Sequence, residues 1–412
     1  MPVTDKERDA LRSLAEKYMG YASLPAHREK MEMWKALNRR RMRRPMVLID
    51  QIPWNELIPP KPPAAADPFW AGVGERLERT IHQWERFPAD MVLEPYIVIP
   101  EAVHNSGYGL TPRVERLRLR DGETASSQKY ANVIRNEEDI EKITDCRVTR
   151  DVEETQRRLD EAEWIFDGAA PVRPGRGIGF NLGLWDFIAC CVPVEDLYTD
   201  MMDRPDFLHR VVSRLADAAL AGIEQANAMQ AHNDEANVCH CSCVYTDDLL
   251  PDFGAGRGSV SRNCWAAGLA QLFTSVSPAG FAEFELPYIA RLAERFGAVY
   301  YGCCDRLDDR LDRVKKIPNV RKVSCSPWSD LENFARNIGP DLVMSVKPNP
   351  AFLAAFNEGA IRNEIARALR LARECNLTLE FILKDISTVQ FEPSRLSRWD
   401  RIVREMVEAS AD

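Results

Sequence analysis

The chain has 412 residues, of which 45% are hydrophobic and 28% are charged, as in an ordinary soluble globular protein. Its net charge of −9 and the lack of a long basic block argue against nucleic acid as a partner. No run approaches the roughly 18 apolar residues of a membrane span, and the charged amino terminus lacks a signal-peptide core. We therefore expect a cytoplasmic protein, with no membrane partner, whose eleven cysteines stay reduced.

The amino-terminal part of the chain predicts helices followed by strands. Residues 4–42 are rich in Lys, Arg and Glu, so residues 1–44 are expected to form a helical extension. Residues 46–50 and 91–99 are apolar runs typical of buried strands.

A different pattern follows in residues 112–134. Their period-two alternation around Asp121-Gly122 predicts an antiparallel hairpin, part of an insertion at about residues 100–165.

From residue 177 onward, apolar runs alternate with helix-like stretches. The predicted strands of this part are 177–182, 237–244, 299–303, 321–325, 342–346 and 378–383. With the two earlier runs they make eight strands, and strands that alternate with helices form parallel βαβ units. The predicted fold class is therefore α/β, with a (β/α)8 TIM-type barrel over residues 45–412.

Several predicted strands end in thiols. Cys303 and Cys304 end one strand, Cys325 ends the next, and Cys243 lies at the end of an earlier one. The carboxyl ends of parallel barrel strands face one pocket, so these side chains are expected to meet. Thiolates suit a tetrahedral zinc site, and these four cysteines are the candidate metal ligands. The alternative is core packing, because free cysteine is among the most buried residue types.

Other polar side chains also follow apolar strands. Lys384, Asp385 and His240 are candidate catalytic residues, because buried amines, carboxyls and imidazoles can transfer protons. Tyr301 joins them, since alternation along a strand puts it on the same face as Cys303.

A second group is expected to line the pocket and bind a small-molecule substrate. For the lysines in both groups the alternative is a structural ion pair. The candidate substrate-binding residues are Lys347, Asn349, Trp185, Arg176 and Asp50.

The chain resembles the uroporphyrinogen decarboxylase-like superfamily, most clearly between residues 271 and 399. That resemblance implies a TIM-type barrel and is compatible with a homodimer. The motifs that carry it are Tyr301-Gly302-Cys303-Cys304-Asp305, Ser326-Pro327-Trp328-Ser329-Asp330, Lys347-Pro348-Asn349-Pro350 and Lys384-Asp385-Ile386-Ser387-Thr388.

Two activities divide that superfamily, and this chain departs from both patterns. The Arg-rich signature of true decarboxylases, Met-Arg-Gln-Ala-Gly-Arg, is missing. The other branch, methyltransferases that work with a corrinoid protein, binds zinc through a His-x-Cys pair and a later Cys. Here Tyr301-Gly302-Cys303 stands in place of His-x-Cys, and Lys384-Asp385 stands where the last cysteine is expected. Either other thiols rebuild the zinc site or the site holds no zinc.

Three functions remain open from the sequence. The first is a methyltransferase that moves a methyl group from a small methylated compound, such as a methoxy-aromatic, to a corrinoid or thiol acceptor. The second is a cofactor-free decarboxylase or lyase that acts on a small carboxylated ring. The third is a non-catalytic carrier of a corrinoid or tetrapyrrole, because a fold alone does not fix a function.

Overall fold

The structure is a computed structural model that describes residues 3–117, 127–233, 237–249 and 259–410. Strands and helices alternate through most of it. The strands are β1 (Met46–Ile49), β2 (Ile97–Pro100), β3 (Ala102–Asn105), β4 (Val114–Leu117), β5 (Ser127–Tyr130), β6 (Val148–Asp151), β7 (Val172–Gly175), β8 (Val238–Cys239), β9 (Ser242–Cys243), β10 (Trp265–Gly268), β11 (Ala298–Tyr301), β12 (Val320–Cys325), β13 (Val343–Val346) and β14 (Thr378–Leu383).

The helices surround these strands. They are α1 (Asp5–Ala22), α2 (Ala26–Asn38), α3 (Trp54–Leu57), α4 (Pro68–Arg86), α5 (Glu137–Ile140), α6 (Val152–Phe166), α7 (Leu184–Cys191), α8 (Val194–Asp203), α9 (Pro205–Ala228), α10 (Pro278–Phe284), α11 (Leu286–Ala293), α12 (Leu311–Val314), α13 (Leu331–Ile338), α14 (Ala351–Ala354), α15 (Glu358–Glu374) and α16 (Ser394–Glu408). In the described part of the chain, none of them is long and apolar enough to cross a membrane.

The central element is a curled parallel sheet of six strands in the order β1-β14-β13-β12-β11-β10. Beyond β10, Asn181 forms a parallel bridge to Ala267, so the predicted strand at 177–182 touches the sheet edge without joining it. Strand β2 pairs with β7 in a separate two-stranded sheet. The α/β class is confirmed. Within the described residues, the hydrogen-bonded sheet does not reach the eight strands of the closed barrel that the sequence predicts.

The two faces of the sheet have different surroundings. The outer face packs on the helices and carries Val299, Val323 and Phe381, which belong to the largest apolar cluster. The inner face holds a smaller cluster that includes Tyr300 and Ile382. Alternation along parallel strands explains this division, since successive side chains point to opposite faces.

Residues 237–244, predicted as a barrel strand, form a hairpin instead. Strands β8 and β9 pair antiparallel and turn at His240, whose φ of 56° lies in the left-handed region. The strand that occupies this place in the sheet is β10, whose sequence Trp-Ala-Ala-Gly gives little β signal because it lacks branched residues. The hairpin's Cys241 and Cys243 join the inner cluster, so it fills the concave side of the sheet.

The amino-terminal helices also contribute to the inner cluster. Trp34 and Leu37 of α2 pack there, and the Asn38 side chain donates to the Tyr245 carbonyl at 2.7 Å.

The predicted hairpin in residues 112–134 is confirmed for its strands, because β4 pairs antiparallel with β5, while Asp121-Gly122 lies outside the described residues.

Candidate active site

Cys303 lies just after β11, at the carboxyl end of the sheet. Gly302 precedes it with φ at +91°, a conformation that a side chain disfavours, and a Cβ there would come within 2.6 Å of Leu307. The Cys303 amide donates to Asp305 Oδ1 at 2.7 Å, and its carbonyl accepts from Ser324 Oγ at 2.7 Å. These contacts fix the backbone on both sides of the sulfur.

The Cys303 sulfur is surrounded by polar groups from three segments, which we call the thiol cluster. Lys384 Nζ, at the end of β14, donates to Cys303 Sγ at 2.8 Å. The two sulfurs of Cys303 and Cys304 are 3.4 Å apart, and Cys304 Sγ lies 2.8 Å from Asp385 Oδ2, so its single S–H can donate to either group but not to both at once. The fifth member is His240, described below.

This arrangement favours a thiolate at Cys303. The hydrogen bond from Cys304 lowers the pKa of Cys303 most strongly. Burial acts to raise this pKa, whereas His240 and Lys384 lower it further. The same pairing raises the pKa of Cys304, which stays a thiol. Burial acts to lower the pKa of Lys384, but the neighbouring Cys241 and Cys303 raise it overall, so the amine is an ammonium. The result is a thiolate–ammonium pair with a thiol donor beside it.

His240 enters the cluster from the hairpin tip. Its ring centroid lies 5.8 Å from that of Tyr300. Its Nε2 atom is buried and has no hydrogen-bond partner among the described residues. A buried ring nitrogen without a partner costs free energy and needs an explanation, of which a bound ligand is one.

Below the thiol cluster, the inner face carries a chain of buried polar side chains, here named the lumen network. Lys322 Nζ donates to Glu380 Oε2 at 2.6 Å, and Ser345 Oγ donates to Glu380 Oε1 at 2.6 Å. Ser345 also lies 3.1 Å from Tyr300 OH and accepts from Lys347 Nζ at 2.6 Å.

The hairpin joins this network through Ser242. Its hydroxyl donates to both carboxylate oxygens of Glu380, at 2.9 and 3.0 Å, and Lys322 donates to Ser242 Oγ at 2.7 Å. Lys347, which follows β13, donates to Tyr300 OH and to Ser345 Oγ and is 3% exposed. The sequence interpretation missed all of these residues except Lys347. The sequence signal that could have identified them is a charged residue inside an otherwise apolar strand, as with Lys322 in β12 and Glu380 in β14.

Of the other predicted catalytic and metal-binding residues, three lie away from the cluster. Tyr301 faces the helices, where its hydroxyl donates to Glu285 Oε1 at 3.0 Å. Cys325 belongs to the outer core. Cys243 lies in the hairpin near Lys322, with its pKa raised by burial.

The predicted substrate-binding residues are also dispersed. Trp185 is fully buried in the helical layer and donates to the Phe284 carbonyl at 2.8 Å. Asn349 caps its own loop by accepting from the Ala351 amide at 3.0 Å. Arg176 is exposed. Asp50 lies in the electrostatic field of Lys384, His240 and Lys347.

The donor set does not fit the zinc site that the resemblance implies. Two of the candidate ligands, Cys325 and Cys243, lie in other parts of the core, and the Cys303 sulfur already accepts a hydrogen bond from an ammonium group. Across the described ranges, no group of three or more His, Cys, Asp or Glu side chains has the arrangement of a metal site. The cation beside the thiolate is therefore Lys384.

Comparison with known proteins adds support for the fold. No family model matches the chain, and no curated protein matches it. Among solved structures, a methyltransferase from Methanosarcina mazei is similar to it, with a TM-score of 0.51 and 13% sequence identity. The match covers 92% of this chain and 98% of that one. At this identity the likeness shows a shared α/β fold over nearly the whole length.

Proposed function

We propose that this protein is a methyltransferase-like enzyme in which Cys303 accepts a methyl group from a small methylated compound. The observation that carries the proposal is the 2.8 Å hydrogen bond from Lys384 Nζ to Cys303 Sγ. A thiolate is the nucleophilic form of cysteine, and an adjacent ammonium keeps it ionised. The fold shared with a methyltransferase supports methyl as the transferred group.

The transfer is a single displacement at carbon. The Cys303 sulfur supplies an electron pair to the methyl carbon, and the bond between that carbon and the donor's heteroatom breaks. The heteroatom leaves with the bonding electrons and takes up a proton. Asp385 is half exposed and accepts a hydrogen bond from Cys304, so these two residues form a path for that proton from solvent.

Release of the methyl group follows the same chemistry in reverse. The sulfur of an external thiolate supplies an electron pair to the methyl carbon, the bond between that carbon and Cys303 Sγ breaks, and Cys303 leaves as a thiolate; a corrinoid on a partner protein would be the alternative acceptor. Lys384 stabilises that leaving group as it stabilised the nucleophile, because charge that develops beside a fixed cation is favoured. We assign to His240 Nε2 the positioning of the donor's heteroatom, because this atom is buried and has no partner among the described residues.

The experiment is peptide mass spectrometry after incubation with a panel of small compounds that carry an isotope-labelled methyl group. We expect labelled methyl on Cys303 in the wild type and none at that site in Cys303→Ser. Cys375→Ser, at the end of α15 and before the start of β14, whose other end carries Lys384, is the matched control and should retain labelling at Cys303. A wild type that shows no label on Cys303 with any donor would overturn this proposal.

One observation supports the lyase alternative. Burial raises the pKa of Asp50, which favours its protonated form and makes it a possible proton donor to a carbanion beside Lys384 and His240. Release of labelled carbon dioxide from small ring carboxylates, lost in Asp50→Asn and retained in Cys303→Ser, would establish decarboxylation in place of methyl transfer.

A further inference from the structure

Two pairs of adjacent cysteines occur in this chain, Cys190-Cys191 and Cys303-Cys304, and their local geometry differs. The first pair ends helix α7, where successive residues point about 100° apart around the helix axis, so its side chains diverge. The second pair follows β11 and Gly302, and its two sulfurs are 3.4 Å apart. Adjacency in the sequence is therefore the same in both pairs, whereas the second has its sulfurs in contact.

The surroundings of the second pair suit two successive reactions at sulfur. Lys384 Nζ donates to Cys303 Sγ at 2.8 Å, so a fixed positive charge lies beside one sulfur. Asp385 Oδ2 lies 2.8 Å from Cys304 Sγ, so a carboxylate lies beside the other. In the first pair, by contrast, Cys191 is buried in the apolar core, and burial raises its pKa to about 12. A thiolate next to a second thiol is the arrangement of an oxidant-sensitive cysteine with a resolving partner.

The second pair lies at an accessible edge of the thiol cluster. Cys304 is partly exposed, and the Asp385 side chain beside it is 47% exposed. The Cys303 sulfur is in contact with that of Cys304, although Cys303 itself is only 4% exposed. Hydrogen peroxide is little larger than water, so it needs only a narrow opening to reach this sulfur.

We infer that Cys303 and Cys304 form an oxidative modification site, at which a peroxide converts the two thiols into a reversible disulfide. Cys303 is the sulfur that the peroxide oxidises, and Cys304 resolves the product. Formation of the disulfide is independent of the proposed function. Its consequence rests on that function, because a Cys303 sulfur held in a disulfide is no longer a thiolate that can accept a methyl group.

The first step oxidises Cys303. Its thiolate supplies an electron pair to one peroxide oxygen and the O–O bond breaks, so that sulfur loses two electrons to become a sulfenic acid and the peroxide is reduced. The other oxygen leaves as hydroxide and takes a proton from solvent to become water. Lys384 stabilises the negative charge that develops on this oxygen, because its ammonium is held beside the sulfur.

The second step joins the two sulfurs. The hydrogen bond to the Cys303 thiolate contributes most to the raised pKa of Cys304, and this contribution ends once Cys303 is an uncharged sulfenic acid. Cys304 can then pass its proton to Asp385. Its sulfur supplies an electron pair to the Cys303 sulfur, the S–O bond breaks, and the hydroxide that leaves takes the proton from Asp385 to become water.

The resulting disulfide should be easy to reduce. Neighbouring Cα atoms are about 3.8 Å apart, which is shorter than the roughly 4.4–6.8 Å that disulfides usually span. A disulfide outside the usual range is strained and more reducible, so an external thiol returns the pair to its reduced form. Such reversibility is typical of a regulatory disulfide.

The test is differential alkylation of the full chain after treatment with hydrogen peroxide at pH 7, without any methyl donor. Trypsin releases residues 296–306, which contain Cys303 and Cys304 and no other cysteine. We expect this peptide to lose both free thiols together with the mass of two hydrogen atoms, and to regain them after dithiothreitol. Cys190 and Cys191 are the internal control in the same sample and should not form a disulfide.

Cys304→Ser separates the two steps. Without the resolving sulfur, the sulfenic acid at Cys303 should persist and be captured by dimedone, whereas the wild type should give little of this adduct. A wild type that forms no disulfide in residues 296–306 would overturn the inference. Formation of a disulfide between Cys190 and Cys191 at the same rate would overturn it as well, because the surroundings of the second pair would then have no effect.

Methyl labelling distinguishes a failure of this inference from a failure of the proposed function. Peroxide treatment should abolish labelling of Cys303 by a methyl donor, and dithiothreitol should restore it. A reversible disulfide in a protein that no donor labels would overturn only the proposed transfer. Labelled Cys303 in a protein that forms no disulfide would overturn only the oxidative modification site.

Discussion

Lys384 and Cys303 meet across the mouth of the curled sheet, with Nζ donating to Sγ at 2.8 Å, although their strands are separated by two others. The contact joins the end of β14 to the end of β11 and places a fixed positive charge where the resemblance implies a metal ion. It favours the thiolate form of the sulfur by electrostatics within the protein.

Replacing Lys384 with Met should reduce the reactivity of Cys303. Without the ammonium, the pKa of Cys303 rises towards its ordinary value of about 8.5, so less thiolate is present at acidic pH. We expect iodoacetamide to alkylate Cys303 at pH 5.5 in the wild type and more slowly in Lys384→Met, since the thiolate fraction falls about tenfold for each unit by which the pKa of Cys303 exceeds the pH. Peptide mass spectrometry across a pH series measures this.

Lys384→Arg is the control for this prediction. It keeps a positive charge beside the sulfur and should restore much of the reactivity at pH 5.5. A loss of the same size in both variants, with unchanged melting temperatures, would show that the charge of Lys384 is not what activates Cys303.

Zinc content provides an independent prediction. Because Cys325 and Cys243 lie outside the thiol cluster and an ammonium already contacts Cys303, we expect no stoichiometric zinc in protein purified without a His-tag or chelator. Elemental analysis of the wild type beside Cys303→Ser is the measurement. About one zinc per chain in the wild type, absent from the variant, would contradict the assignment of Lys384 as the cation of the site.

The lumen network predicts a large loss of stability when one charge is removed. In Glu380→Gln, Lys322 becomes a fully buried ammonium without its carboxylate, and both side chains are 0% exposed. Breaking such a buried pair costs roughly 3–5 kcal/mol of unfolding free energy. Urea denaturation measures the change.

The double variant Lys322→Met/Glu380→Gln serves as the comparison. It should recover part of the loss, since no uncompensated charge stays buried. A double variant that is less stable than Glu380→Gln alone would show that Lys322 stabilises the fold through contacts other than the ion pair.

The sequence predicted the strand ends better than the faces of the strands. The predicted strand at 378–383 coincides with β14, and Lys384 and Asp385 lie at the mouth as expected. Alternation put Tyr301 with Cys303, but Gly302 in a left-handed conformation ends the alternation, so Tyr301 faces the helices while the Cys303 sulfur meets Lys384.

The hairpin around His240 was not predictable in the same way. An apolar, Cys-rich run of eight residues is compatible with one buried strand or with two short ones. The choice depends on two hydrogen bonds between residues that are far apart in the chain. Ser242 bonds to Glu380, 138 residues away, and Cys243 bonds to Lys322, 79 residues away.

Asp305 should make the stability of the fold depend on pH. Burial raises its pKa from 3.8 to about 6, so the folded state holds a proton that the unfolded chain releases between these values. The contribution to stability is therefore present below about pH 4 and is lost as the pH rises to about 6, by up to roughly 3 kcal/mol. Asp305→Asn keeps an acceptor for the Cys303 amide, whose present bond to Oδ1 is 2.7 Å, and removes the titration. Relative to wild type, the unfolding free energy of this variant should rise by about 2–3 kcal/mol between pH 4 and pH 7.

Asp312→Asn is the matched control, because that carboxylate is mostly exposed and pairs with Arg313 on the surface. Its difference from wild type should stay nearly constant over the same pH range, since exposed ion pairs contribute little. If Asp305→Asn and Asp312→Asn show the same pH profile, the buried carboxyl beside Cys303 does not titrate in this window. In that case burial does not raise the pKa of Asp305 in the folded state.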